Sequence, residues 1–326
     1  NSSAERYYRN LILNATIANY SLAVQRTLRT QIPIRYDSST VGTMKIFRDQ
    51  HDFDVAARAT ESLRTQAIKC HLLDPNGAVD LEPVLAPIRK ELIGAIYYPD
   101  DESGDAFKFC TGLADKAAEA GVAFKCATTA HTFHGRDGEI ISLGTSAGEV
   151  RGDAYVLAAG SYSVPLAKTL RLRLPITPVK GYSLSVATAG WAETPTIPLV
   201  DEALHAAVTP LGDRLRVAGT AEFSGYDSRI RPSRMSNLYN LVAKILPNCR
   251  DSLANSAAKE WAGLRPMSCD GVPLLGQTSI RNLFLNTGHG HLGWSMACGS
   301  GKAVADLITG RNPELDLNSY SVNRFL

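Results

Sequence analysis

The sequence has almost no excess charge: 34 Lys and Arg against 32 Asp and Glu leave +2 over 326 residues. That balance offers neither a basic stripe for nucleic acid nor an acidic tail, so polyanion binding gets no support. The chain contains no C-x-x-C, and Cys70, Cys110, Cys126, Cys249, Cys269 and Cys298 are scattered without a histidine partner at zinc spacing. No metal site is expected, and the cysteines read as buried free thiols of a reducing compartment. No apolar run reaches the ~18–20 residues that a membrane-spanning helix needs. A P-loop, a G-x-S-x-G elbow and a paired-carboxylate arrangement are also absent. The sequence thus carries no motif for Walker-type phosphate binding or for an α/β-hydrolase nucleophile elbow.

What remains is an ordinary globular mix, 44% hydrophobic and 20% charged, long enough for one large or two medium domains. Residues 4–30 carry no Gly or Pro and predict one long helix. A strand at 42–47, a helix at 49–66, a proline-broken helical stretch at 80–92 and a strand at 94–99 follow. Asp105 is a good N-cap for a helix whose apolar face should run through Phe107, Cys110, Leu113, Ala114 and Ala117. Gly121 fits its C-terminal stop, and "VAFKC" at 122–126 reads as the next strand. "DAYVLAAGSYS" at 153–163 is an apolar run that suits a strand buried on both faces of a mostly parallel sheet. From 176 to 220, short β runs broken by Gly, Pro and Asp suggest an antiparallel sheet. A helix at 233–246, a strand at 282–288 and a helix at 294–310 close the chain. The α/β-type segments flank the antiparallel one, so the fold class is mixed α/β with two interleaved domains. One comprises 1–104 and 166–254, the other 105–165 and 255–326.

"GHGHLGW" at 288–294 spells G-x-G-x-x-G on Gly288, Gly290 and Gly293. A dinucleotide fingerprint should open a βαβ unit with an acidic residue about twenty positions on. Glu314 is near that distance but lies in no strand pattern. The better reading is a glycine turn that aims backbone amides and a helix N-terminus at a planar, partly anionic group. Other candidates are weaker alone. Arg265, before Pro266, is either a surface cation or a bidentate carboxylate clamp. Lys180 and Tyr182 share a face of a strand, where half-exposed strand residues would be unremarkable.

The combination is more specific than its parts. "GLRPMSCDGVPLLG", "NLFLNTGHGHLGWSMACGSGKAVADLITGR" and "YSVNRF" resemble the C-terminal region of bacterial FAD-dependent D-amino acid dehydrogenases, within the D-amino acid oxidase/glycine oxidase superfamily. The resemblance continues through "RGDAYVLAAGSYS", "PVKGYSL", "LRVAGTAEFSGYD" and "DDESGD", and so spans the chain. It implies a Rossmann-like FAD domain interleaved with an antiparallel-sheet substrate domain. It also implies that Gly288, His289, Gly290, His291, Leu292, Gly293 and Trp294 lie beside the flavin ring. By the same resemblance Ala159 and Gly160 end a second flavin-binding strand, and Ala130 offers its backbone to the adenine. Arg265 clamps the substrate carboxylate, with Tyr182 and Lys180 on a strand entering the active site. The implied substrate is a D-amino acid, deaminated to a 2-oxo acid and ammonium. Electrons would pass to a quinone or other respiratory acceptor, which places the protein in the bacterial cytoplasm, peripherally on the inner membrane.

One departure qualifies the resemblance. Members of the family begin with a strand bearing the true G-x-G-x-x-G and its ribose-binding acidic residue, and roughly a hundred such residues are missing here. The expectation is that an N-terminal segment or a partner subunit supplies them and that this chain alone binds FAD weakly or not at all. Two other functions fit the residues: oxidation of glycine, sarcosine or proline, and a non-catalytic scaffold subunit.

Overall fold

The computed structural model describes residues 3–254 and 256–325. It divides into two compact units, each assembled from separate stretches of chain. The first takes the chain up to Pro33, Ala114–Val179 and the chain from Leu264 onward; the second takes Ile34–Leu113 and Lys180–Gly263. The N-terminal helix therefore belongs with the C-terminal segment, not with the residues up to 104 to which the sequence reading assigned it. Packing explains why. Ala4–Gln31 lies against the helix Gly293–Ile308 so closely that a Cβ on Gly299 would meet the Ser21 backbone at 2.9 Å. Tyr320 anchors the same helix by donating its hydroxyl to the Leu13 carbonyl at 2.7 Å.

In the first unit, the strand Leu283–Thr287 runs between Leu274–Gln277, antiparallel, and Tyr155–Leu157, parallel. The expected long strand at 153–163 is thus three residues, with Val156 46% exposed on one face. Gly160, at φ +55°, turns the chain into a short helical segment and ends the strand early. A separate three-stranded sheet joins Ala130–Arg136, Glu139–Thr145 and Gly148–Val150. Residues 122–126 form no strand, in contrast to the sequence reading. Val122 and Phe124 are more than half exposed there, so the apolar letters mark no buried face.

The second unit is built on an eight-stranded sheet in which Arg214–Glu222, Ala206–Leu211 and Leu199–Asp201 form the expected antiparallel meander with Ile176–Ala187. Its core sets Tyr182, Leu184, Val208, Leu215 and Val217 against Met235, Leu238, Val242 and Ile245, the inward face of the helix Pro232–Ile245. Those four positions fall at i, i+3, i+7 and i+10, a spacing that buries one stripe of the helix. The helix Ala106–Glu119 starts as expected, with the Asp105 carboxylate accepting from the amides of Phe107 at 2.9 Å and Lys108 at 3.1 Å. Its inward face differs from the sequence reading, however. Phe109 is buried edge-to-face on Tyr36, whereas Phe107 is 76% exposed and Cys110 faces outward. All six cysteines are free, but only Cys70 and Cys249 are buried.

Candidate active site

The candidate site in the first unit grows from two strand ends. Thr287 closes Leu283–Thr287, and Gly160 follows the neighbouring strand Tyr155–Leu157 by three residues. Thr287 donates its hydroxyl to the Gly160 carbonyl at 3.1 Å and accepts the Ser163 hydroxyl at 3.1 Å. These buried bonds lock the two turns that follow the strands side by side.

The turn beyond Thr287 needs its glycines. Gly288 and Gly290 hold φ of +79° and +58°, a region that strains any residue with a Cβ. A Cβ on Gly290 would also lie 2.8 Å from the Met267 sulfur. At Gly293 the helix Gly293–Ile308 begins, preceded by Leu292, whose side chain has no oxygen with which to cap it. The first-turn amides and the positive end of the helix dipole thus lie at the turn.

Arg265 stands between these two turns through its chain neighbours. The carbonyl of Pro266 accepts the Gly290 amide at 3.0 Å, and Met267 forms an isolated bridge with His289. On the other side, the Ser161 hydroxyl makes a long 3.4 Å contact to the Leu264 carbonyl. Burial pulls the Arg265 guanidinium below its ordinary pKa, as expected for a cation taken partly out of water. His289 shares a 2.9 Å hydrogen bond between its Nε2 and the Ser300 hydroxyl, and burial pushes its pKa down to about 4. His291 is exposed, Leu292 and Trp294 are half-buried, and Ala130 opens the separate strand Ala130–Arg136.

Lys180 and Tyr182 occupy the second unit and do not present themselves as open ligand groups. Lys180 is fully buried and Tyr182 is 1% exposed. Tyr182 donates to Glu222 Oε2 at 2.6 Å, and Lys180 Nζ sits 3.4 Å from the same oxygen and 3.8 Å from Asp227. Arg231 completes the cluster at 3.0 Å from Glu222. Burial pulls the Lys180 ammonium down, but the Tyr182 hydroxyl and Glu222 more than offset this and hold it above its usual value. The Tyr182 hydroxyl, followed by Lys180 and Arg231, keeps Glu222 ionised below the ordinary carboxylate range against the pull of burial. The sequence reading missed Glu222. Its signal is faint: one acidic residue inside the β run "LRVAGTAEF", next to a register shift where Thr220 takes φ +62°. That bulge re-aims the strand and delivers the carboxylate inward. Lys180 and Tyr182 thus belong to one buried network with Glu222, Asp227 and Arg231.

The donors at Gly160, Ser161, Arg265 and residues 288–294 are backbone amides, a hydroxyl, a guanidinium and ring nitrogens, with no carboxylate among them. Such a set suits an electron-rich heterocycle edge together with a carboxylate.

Comparison with known proteins gives this chemistry its class. The family model described as FAD dependent oxidoreductase (DAO) matches residues 3–307. The chain belongs to the DAO family of FAD dependent oxidoreductases. It is 41% identical over 326 residues to a D-amino acid dehydrogenase of Xanthobacter autotrophicus, covering all of this chain and 77% of that protein. A second D-amino acid dehydrogenase, from Rhizobium rhizogenes, is 39% identical over 325 residues with the same coverage. Among solved structures, glycine oxidase from Geobacillus kaustophilus superposes with a TM-score of 0.85 at 25% identity, over 95% of this chain and 83% of that one. L-proline dehydrogenase from P. horikoshii shares the fold, with a TM-score of 0.84 at 20% identity over 95% and 82% of the two chains. FAD is therefore the cofactor.

Proposed function

We propose that the chain oxidatively deaminates D-amino acids to 2-oxo acids and ammonium. The observation that carries this reading is the placement of Arg265, whose flanking carbonyls contact the turn after Gly160 on one side and Gly290 on the other. Bound FAD supplies the two-electron acceptor. The partly desolvated Arg265 guanidinium grips the substrate carboxylate through two parallel hydrogen bonds and fixes which face of Cα is offered. The amides at 290–294 and the helix start hold negative charge at the flavin edge. Ala159 and Gly160 line the neighbouring strand end, and Ala130 serves the adenine half. No strong side-chain base is required: the amine reacts in its neutral form, and water hydrolyses the imino acid to 2-oxo acid and ammonium.

Electrons pass to a quinone or similar respiratory acceptor, a reading supported by relatives named as dehydrogenases. It carries with it a peripheral position on the cytoplasmic face of the inner membrane. No described helix is long and apolar enough to cross a membrane. A dye-linked assay tests the proposal. D-alanine should yield ammonium and 2-oxo acid in equal amounts with little hydrogen peroxide. The likeness to glycine oxidase favours a second reading, oxidation of glycine or sarcosine, and turnover of those amines in preference to D-alanine would replace the first.

A further inference from the structure

A turn with glycines at three of six positions is loose in solution, so something must hold residues 288–293 in one arrangement. Backbone bonds supply part of the answer: Gly290 donates to Pro266, and Leu292 donates to the His289 carbonyl at 3.1 Å. The histidine side chain supplies another. His289 lies one residue after Gly288, yet its ring reaches Ser300 in the second turn of Gly293–Ile308 and bonds it at 2.9 Å. Ser300 is fully buried. The Cβ of His289 also packs over the helix start, where a Cβ on Gly293 would stand 3.6 Å away, an ordinary contact distance. The ring is thus pinned at both ends, by the turn backbone and by the helix interior.

We infer that His289 is a positioning residue: latched to Ser300, it holds the turn so that the amides at 290–293 meet the flavin edge. The inference rests on the reading of 288–294 as the flavin turn. Burial keeps the imidazole neutral at physiological pH, so the latch adds no charge of its own beside the ligand. His289 acts through backbone geometry, and the amides make the contact.

The test is a double-mutant cycle on His289→Ala and Ser300→Ala, with His289→Gln as the conservative variant that returns a polar group near Nε2. Amide hydrogen exchange at 290–293 on the 326-residue chain requires no flavin. Each alanine variant should speed exchange at least tenfold, the double variant should add little to either, and glutamine should restore part of the protection. In flavin-loaded enzyme, the alanine variants should shift the oxidised-to-reduced equilibrium about tenfold toward the oxidised form, equivalent to ~30 mV for two electrons. Unchanged exchange, or strictly additive effects of the two substitutions, overturns the latch. Gly290→Ala separates the latch from the reading beneath it. If Gly290→Ala alters flavin affinity and potential while the His289 and Ser300 variants do not, only the latch fails. If Gly290→Ala leaves both flavin properties untouched, the flavin-turn reading fails.

Discussion

Gly290 donates its amide to the carbonyl of Pro266 at 3.0 Å, so the glycine turn and the residue after Arg265 move as one piece. That bond joins the turn read as flavin-binding to the neighbour of Arg265, the residue read as the carboxylate clamp. Damage to either should be felt in both.

Arg265 is the first place to look. Arg265→Ala should raise KM for the amino acid on the order of 100-fold or more, the range expected when one partner of a desolvated charge pair is removed. Arg265→Lys should recover little, because an ammonium cannot reproduce the planar two-point fork. Steady-state kinetics with a dye acceptor check both, and a full rescue by lysine would count against bidentate binding.

Gly290→Ala should cost about 1–2 kcal/mol for the left-handed backbone alone, with more from the methyl set against Met267 Sδ at 2.8 Å. Urea unfolding reads the loss. Alanine at Gly301, with nothing within 4 Å of its Cβ, is the control and should be tolerated.

The buried cluster around Glu222 makes a sharper demand. Glu222→Gln leaves the fully buried Lys180 short of a counter-charge, with Asp227 3.8 Å away. The urea midpoint should fall steeply. Adding Lys180→Met should recover part of the loss, since an uncompensated buried charge costs more than an apolar replacement for the pair. Additive losses would show that the two side chains are not coupled.

Acid should find His289. Its pKa in the folded protein is about 4 against an ordinary 6.5, so the unfolded chain takes up the proton first. Its contribution is fully present above pH 6.5 and drains away as pH falls toward 4, by about 3 kcal/mol at most. Other groups titrate in the same range, so the measurement is a difference. Urea unfolding of wild type and His289→Gln at pH 7.5, 6 and 5 should show the wild-type advantage shrinking with acid. An advantage that grew on acidification would mean the folded pKa is raised, not lowered.

Much of the fold could be read from local chemistry. Asp105 caps its helix and Gly121 stops it at φ +95°, as side-chain oxygens and glycine do elsewhere. The errors arose where burial is decided by distant chain. "VAFKC" has strand-like letters, but no partner covers Val122 or Phe124. Phe107 loses its place in the helix face because Tyr36 receives Phe109 instead. For the site, the glycine turn was visible as a motif and Arg265 through resemblance. Glu222 was hidden, since only the bulge at Thr220 turns it toward Lys180 and Tyr182, and no local pattern announces a bulge. The link from Gly290 to Pro266 spans 24 residues and exists only in the folded chain.

The central claim is that Arg265 and the glycine turn present a D-amino acid to FAD. Flavin-loaded enzyme mixed with D-alanine in the absence of oxygen tests it most directly, with the visible absorbance of oxidised flavin followed in time. The account predicts rapid bleaching with D-alanine, none with L-alanine, and loss of the D-alanine response in Arg265→Ala at the same substrate concentration. Flavin that stays oxidised with D-alanine, or bleaches equally with both enantiomers, would contradict it.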